Sequence, residues 1–181
     1  MESQSKNVSP LGVSQTGASP AGEKGVSGYS VSLPSDLEYI PPLRQFVAEI
    51  ARVEGFSKKF CFRTEIIVDE LVTNGILHGS QDVHSSVIVS AKFEEGSMNL
   101  SVQDQGGTRQ NLENLKHAVY SPKPPSNDKK KGRGLVIVQM LSSEIKIDLC
   151  ENGQTQVHVV KTRDPDEKQP QREKLLYESD L

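Results

Sequence analysis

Three short stretches of this chain carry side chains able to do chemistry. The first is Asp69-Glu-Leu-Val-Thr-Asn74-Gly-Ile-Leu-His78-Gly79. On a helix, where each residue turns by about 100°, Glu70, Asn74 and His78 share one stripe bordered by Ile67, Leu71 and Leu77, while Asp69 and Thr73 point elsewhere. A carboxylate and a carboxamide one turn apart beside an apolar face are costly unless a partner satisfies them. A magnesium ion carried by a nucleotide suits the neutral oxygen of Asn74, and Glu70 beside it can take a proton from an attacking hydroxyl or water. The plainer reading is a helix with a polar boundary stripe, and the stretch alone does not choose between the two.

The second stretch is Leu100-Ser-Val-Gln-Asp104-Gln-Gly106-Gly107. Alternation along a strand puts Met98, Leu100, Val102 and Asp104 on one face, so Asp104 ends an apolar row at the mouth of the core. Its carboxylate needs donors, and the exocyclic amine of adenine is a good one. Gly106 and Gly107 form a turn with no Cβ to obstruct a planar base. An ordinary strand-ending Asp-x-Gly turn would look the same. The third stretch is Lys129-Lys-Lys-Gly132-Arg-Gly134-Leu-Val-Ile-Val. A glycine-rich turn runs straight into an apolar helix, so main-chain N–H groups and the positive end of the helix dipole converge where a phosphate fits. Lys130, Lys131 and Arg133 add positive charge. A basic, solvated loop before a core helix is the alternative. The P-loop pattern G-x-x-x-x-G-K-[ST] is absent, as is the strand context of G-x-G-x-x-G.

The elements that must position these residues are a mixture of helix and strand. Tyr29 to Leu33 alternates as a strand. Ser35 or Asp36 caps a helix that runs past Pro41-Pro42 through Leu43, Phe46, Val47 and Ile50 to Gly55, and a second helix runs from near Ser57 through Phe60, Ile67, Leu71 and Leu77 to Gly79. Ser86 to Phe93 and Ser97 to Gln103 form a hairpin, and Glu144 to Cys150 with Thr155 to Val160 form a closing one. Between the hairpins lie a long polar loop with a short helix near Leu112 to Val119, and an apolar helix from Gly134 to Leu141. The expected fold is α+β: a two-layer sandwich of a mixed, mostly antiparallel sheet on about three helices.

Composition bounds the rest. At 181 residues there is room for one domain of ordinary size. A net charge of −3 gives no reason to expect attraction to nucleic acid or to a membrane surface. Cys61 and Cys150 lack C-x-x-C spacing and read as small fillers in a reduced compartment. No leader or apolar span is visible, so a cytoplasmic location is expected. The first 28 residues hold six Ser, five Gly and two Pro and no aromatic residue, which predicts a disordered arm. A domain over 29–161 follows. The stretch 162–181 has ten charged residues and two Pro, with Leu175-Leu176-Tyr177 its one sticky spot, which predicts a solvated tail, with a short docking helix at its end as the alternative.

The order of the three stretches is more telling than any one of them. Glu-x-x-x-Asn on a helix, Asp-x-Gly about 30 residues later and Gly-x-Gly about 30 beyond that resembles the N, G1 and G2 boxes of the histidine-kinase-like ATPases. These are the GHKL or Bergerat-fold superfamily, which includes gyrase B and MutL. The short form here, with Glu70-Leu-Val-Thr-Asn74-Gly-Ile-Leu-His78-Gly79, Asp104-Gln-Gly106, Gly132-Arg-Gly134 and Gly153-Gln-Thr155-Gln-Val157, is similar to the RsbW-type anti-sigma factors, which are serine-protein kinases of partner-switching pathways. The resemblance covers roughly 29–161.

What the resemblance implies can be stated residue by residue. Glu70 is the base that helps a substrate serine attack the γ-phosphate of ATP, and Asn74 ligates Mg²⁺. Asp104 binds the adenine amine, with Gly106 allowing close approach of the base and Thr155 near it. Lys131, Gly132, Arg133 and Gly134 wrap the phosphates under a lid over about 108–131. The implied partners are a STAS-domain anti-anti-sigma factor and a sigma factor or other regulated target, and a homodimer is common in the family. Three departures stand out: Gly75 where the family has Ala, Asp-Gln-Gly-Gly in the second box, and Lys130 where the family has Arg, a point charge in place of a bidentate fork. Other functions remain to be weighed. One is a non-catalytic module in which ATP only orders a binding surface. Another is the detached catalytic domain of a histidine kinase, against which stands the lack of a phosphoaccepting helix.

Overall fold

The computed structural model describes residues 12–15, 27–79, 84–106, 109–120, 133–150 and 153–167. Two helices lead. Asp36 accepts a hydrogen bond from the Glu38 N–H (2.9 Å) in a single 3₁₀ turn, Leu37–Tyr39, and α1 (Ile40–Val53) follows with prolines in its first turn. It ends in a Schellman motif: Gly55 has φ 83°, and the N–H groups of Gly55 and Phe56 reach back to the carbonyls of Arg52 and Ala51, both at 3.0 Å. Ser57 then caps α2 (Lys58–Gly79), its hydroxyl accepting from the Phe60 N–H at 3.1 Å. At 22 residues α2 is about 33 Å long, enough to cross the whole sheet.

Six strands form one sheet in the order β1-β2-β3-β4-β6-β5: β1 (Gly12–Gln15), β2 (Ser27–Pro34), β3 (Ser86–Glu94), β4 (Ser97–Gln103), β5 (Glu144–Leu149) and β6 (Thr155–Thr162). The sheet was expected to be mixed and mostly antiparallel, and every pairing among the described residues is antiparallel. Four α-helices stand where about three were expected, the others being α3 (Arg109–Tyr120) and α4 (Arg133–Leu141). Alternation along the strands sends Val31, Leu33, Val87, Val89, Met98, Leu100, Val102, Val157 and Val159 into one core against Ile67, Val68, Leu71 and Val72 of α2. Cys61 and Cys150 are half-buried free thiols. Among the described residues no helix is long and apolar enough to cross a membrane.

Three readings need correction. Leu77, taken as inward, is 58 % exposed. The buried face of α2 is centred on Ile67, Leu71 and Gly75, and Leu77 lies six residues past Leu71, which turns it about 120° away. Inside the supposed arm, residues 12–15 pair with β2, Val13 opposite Val31. A sheet edge can be extended by main-chain hydrogen bonds alone, so the segment's low apolar content does not prevent it.

The third correction concerns the tail, which is held through Glu167. The Arg163 guanidinium lies over the Phe56 ring (4.5 Å) and donates to the Gly55 carbonyl (2.9 Å). Asp164 bridges Lys59 (2.7 Å) and Arg63 (2.9 Å), and the Glu167 carboxylate accepts from the Ser57 N–H at 2.9 Å. The N-terminus of α2, with its unpaired N–H groups and positive dipole end, is a natural seat for these carboxylates.

Candidate functional site

The C-terminal half of α2 and the end of β4 face each other across a cleft. Asn74, Gly75, His78 and Gly79 line it from α2, Val102 and Asp104 from β4, and Thr155 and Val157 from β6. Leu71, Leu112, Leu115 and Leu135 complete a largely apolar wall. Asp104 sits at the centre of this arrangement. Its own N–H donates to the Thr155 carbonyl (3.0 Å), and one carboxylate oxygen accepts from the Gly106 N–H (2.8 Å). Burial pushes the Asp104 carboxyl above the usual range, while main-chain hydrogen bonds at Gly106 and Thr155 pull the other way.

Two glycines make this position possible. A Cβ on Gly79 would stand 2.1 Å from the Asp104 carboxyl carbon and 2.6 Å from its Cβ, so β4 can approach α2 this closely only because Gly79 has no side chain. Gly106, at φ 85°, lies against the Gly153 carbonyl, 2.0 Å from where its Cβ would be. Gly75 is different. A Cβ there would meet Asp104 and Val102 at 3.6 and 3.7 Å, ordinary contact distances. The glycine that close approach requires is therefore Gly79, one turn after Gly75.

Glu70 stands apart from the cleft lining, one turn before Asn74, and reaches the start of α4. Its Oε2 lies 2.0 Å from where a Cβ on Gly134 would be, so the glycine lets the first turn of α4 come against the carboxyl. Burial, and then the charge of Asp69, raise the Glu70 carboxyl above the usual range. Asp69 itself points to α1, where Arg44 holds it at 2.6 Å. Arg133 begins α4, whereas Lys131, Gly132, Lys130 and Gly107 lie outside the described residues.

The structure therefore brings Asn74, Asp104 and Thr155 into one cleft, backs Asp104 with Gly106, and sets Glu70 and Gly134 together at its side. Sequence reasoning missed Gly79 as the seat of Asp104 and the leucines Leu112 and Leu115 that α3 contributes. The signal for the first was a second glycine one turn after Gly75; for the second, apolar residues three apart in an otherwise polar loop.

The donor set fits a purine nucleotide. The apolar walls suit a planar base, Asp104 suits its amine, and the N-terminus of α4 suits phosphate oxygens. Among the described residues no three His, Cys, Asp or Glu gather to hold a metal ion. A magnesium ion at Asn74 would thus take its remaining ligands from phosphate and water, as this hard cation commonly does.

Comparison with known proteins shows the family. The anti-sigma F factor of Geobacillus thermodenitrificans is 31 % identical over 101 residues, covering 54 % of this chain and 68 % of that protein. The anti-sigma F factor of Bacillus licheniformis gives the same figures, and that of Bacillus thuringiensis is 30 % identical over the same span. Residues 33–161, well over half of the chain, match the family described as histidine kinase-like ATPase domain. Helix carboxylate and amide, strand-end aspartate and glycine-opened helix all fall within that match, and the chain belongs to the histidine kinase-like ATPase domain family.

Proposed function

We propose that this chain is an ATP-dependent serine-protein kinase and partner-switching regulator of the anti-sigma kind, which phosphorylates a STAS-domain antagonist and sequesters a sigma factor or other target. The observation that carries the proposal is the position of Glu70. Its carboxyl lies against the first turn of α4, one helical turn from Asn74 and outside the lining of the cleft that holds Asp104. A base belongs there if a serine hydroxyl is to meet a phosphate chain whose base is held at Asp104. The 31 % identity to an anti-sigma F factor supports the choice of partner class.

ATP supplies the transferable phosphoryl group and Mg²⁺ neutralises its charge. The residues of the chain do the rest. Asp104 accepts a hydrogen bond from the adenine amine, and the Leu71, Leu135 and Val157 walls exclude water from the base. Asn74 offers its amide oxygen to the metal. Main-chain N–H groups opening α4 orient the phosphate oxygens. Glu70 takes the serine proton as the serine Oγ–phosphorus bond forms and the bridging β–γ phosphorus–oxygen bond breaks. A carboxyl raised above its usual range is the better base for this step. Transfer to a serine-bearing STAS protein, read as phosphoserine by mass spectrometry, tests the proposal. Glu70→Gln should lower the rate by about a hundredfold or more with ATP affinity unchanged. Tight Mg-ATP binding without transfer to any partner would leave the alternative, an ATP-gated binding module without catalysis.

A further inference from the structure

One core-facing position of the sheet holds a charge. Along β6 the inward residues are Thr155, Val157, Val159 and then Lys161, which is 3 % exposed. Its Nζ donates to the Leu141 carbonyl at 3.0 Å and lies 4.8 Å over the Phe60 ring. Among the described residues no carboxylate stands within ion-pair distance of it, and burial pushes its pKa down.

A buried cation without a counter-ion costs stability, and an apolar side chain of similar length would fill the space without that cost. The place of its partner says what the lysine supplies instead. Leu141 is the last residue of α4, and its carbonyl is one of those a helix leaves unbonded at the negative end of its dipole. Two further bonds hold this end: the Ser142 hydroxyl donates to the Val138 carbonyl and the Ser143 N–H to the Val160 carbonyl, both at 2.7 Å. The opposite end of α4 is the one set against Glu70, where Gly134 leaves no room for a Cβ. With nine residues the helix is about 13 Å long, short enough to move as one rod.

We infer that Lys161 is a positioning residue for the phosphate end of the nucleotide site: by holding the last carbonyl of α4 it sets how far the first turn of α4 advances toward Glu70. The inference rests on the nucleotide cleft proposed above but does not need phosphoryl transfer. The two ends of a nucleotide depend on α4 unequally. Asp104, which receives the base, is seated by Gly79, Gly106 and Thr155, none of them in α4. The main-chain N–H groups that meet phosphate oxygens belong to the first turn of α4. Shifting this helix along its axis therefore costs a triphosphate more than a nucleoside.

Lys161→Met tests this in the full chain, by calorimetric titration with Mg-ATP and, separately, with adenosine. Methionine fills the space beside Phe60 and removes only the ammonium, so the fold should hold, as a thermal melt will read. Mg-ATP affinity should fall about tenfold, the loss of one or two phosphate hydrogen bonds, with adenosine affinity within about twofold of the wild type. A lysine that served stability alone would move both ligands together or neither, and either result overturns the inference. If Lys161→Met melts too low to titrate, Ser142→Ala loosens the same helix end and should show the same selective loss, of about threefold. An unchanged ratio of the two affinities in that variant would equally overturn the inference. A wild type that binds neither ligand would overturn the nucleotide reading as well, which tells the two failures apart.

Discussion

The two ends of α2 are built on opposite principles. At the N-terminal end charges meet counterparts: Asp164 bridges Lys59 and Arg63, and Glu167 meets the main-chain N–H of Ser57. Lys161, only 3 % exposed, donates to the Leu141 carbonyl (3.0 Å) and lies 4.8 Å over the Phe60 ring. At the C-terminal end glycines replace bulk, and two carboxyls, Glu70 and Asp104, are raised in pKa chiefly by burial. Among the described residues no cation pairs with either. One end is satisfied by the fold itself. The other holds Asp104 by main-chain bonds and Glu70 by close packing against Gly134. Sites kept in that condition commonly cost stability in the free protein.

Four substitutions sharpen or break this contrast, and the largest effect belongs to Gly79→Ala. The new methyl group meets both Cβ and Cγ of Asp104, whose N–H and carboxylate are tied to Thr155 and Gly106, so the strand end itself must move. Overpacking of this kind costs about 1–3 kcal/mol. ATP affinity should fall roughly a hundredfold, which is about 2.7 kcal/mol of binding free energy. Calorimetric titration and a thermal melt measure the two, and unchanged affinity would mean that Asp104 does not read the base.

Next comes Asp104→Asn. A raised carboxyl favours its protonated form in the folded state, so its contribution is fully present below the ordinary value of 3.8 and is lost as pH rises through the folded value. The asparagine variant escapes that loss. Near neutral pH the ligand-free variant should melt higher than the wild type, with the gap closing on acidification, while ATP affinity drops by about tenfold.

Asp164→Ala should show the opposite sign at the other end of the helix. Lys59 and Arg63 hold the Asp164 carboxyl below its ordinary range, so its contribution is present above 3.8 and fades as pH falls through the lower folded value. The variant should melt lower at neutral pH, with the difference narrowing in acid and with ATP affinity unchanged. A change in affinity would show the two ends to be coupled. Gly75→Ala is the smallest. The methyl group fits at 3.6 Å and removes a helix-interior glycine, so stability should rise by about 0.5–1 kcal/mol with affinity unaltered. A loss of affinity there would mean that the ligand needs the space.

Much of this was legible in the residues. The periodicity of Phe60, Ile67 and Leu71 marked α2, and the alternation of Met98, Leu100 and Val102 marked β4 and aimed Asp104 at the core mouth, because both are local consequences of backbone geometry. The outward turn of Leu77 was not legible, since hydropathy does not say which side of a helix the sheet will take. Nor was the clamp of Arg163, Asp164 and Glu167 on α2, which joins residues about a hundred positions apart through charges that in sequence look merely solvated.

The sequence by itself determined the types, order and spacing of the groups at the site: a carboxylate and an amide on one helical stripe, an aspartate ending an apolar strand, and a glycine opening a helix. Short-range stereochemistry is sufficient for each of these. Only the tertiary structure decided that Asp104 rests on Gly79, that Glu70 faces Gly134, and that the N-terminus of α2 is closed by the chain's far end. These are distances between elements remote in sequence, fixed by how tightly a sheet can pack on a helix, and no local pattern encodes them.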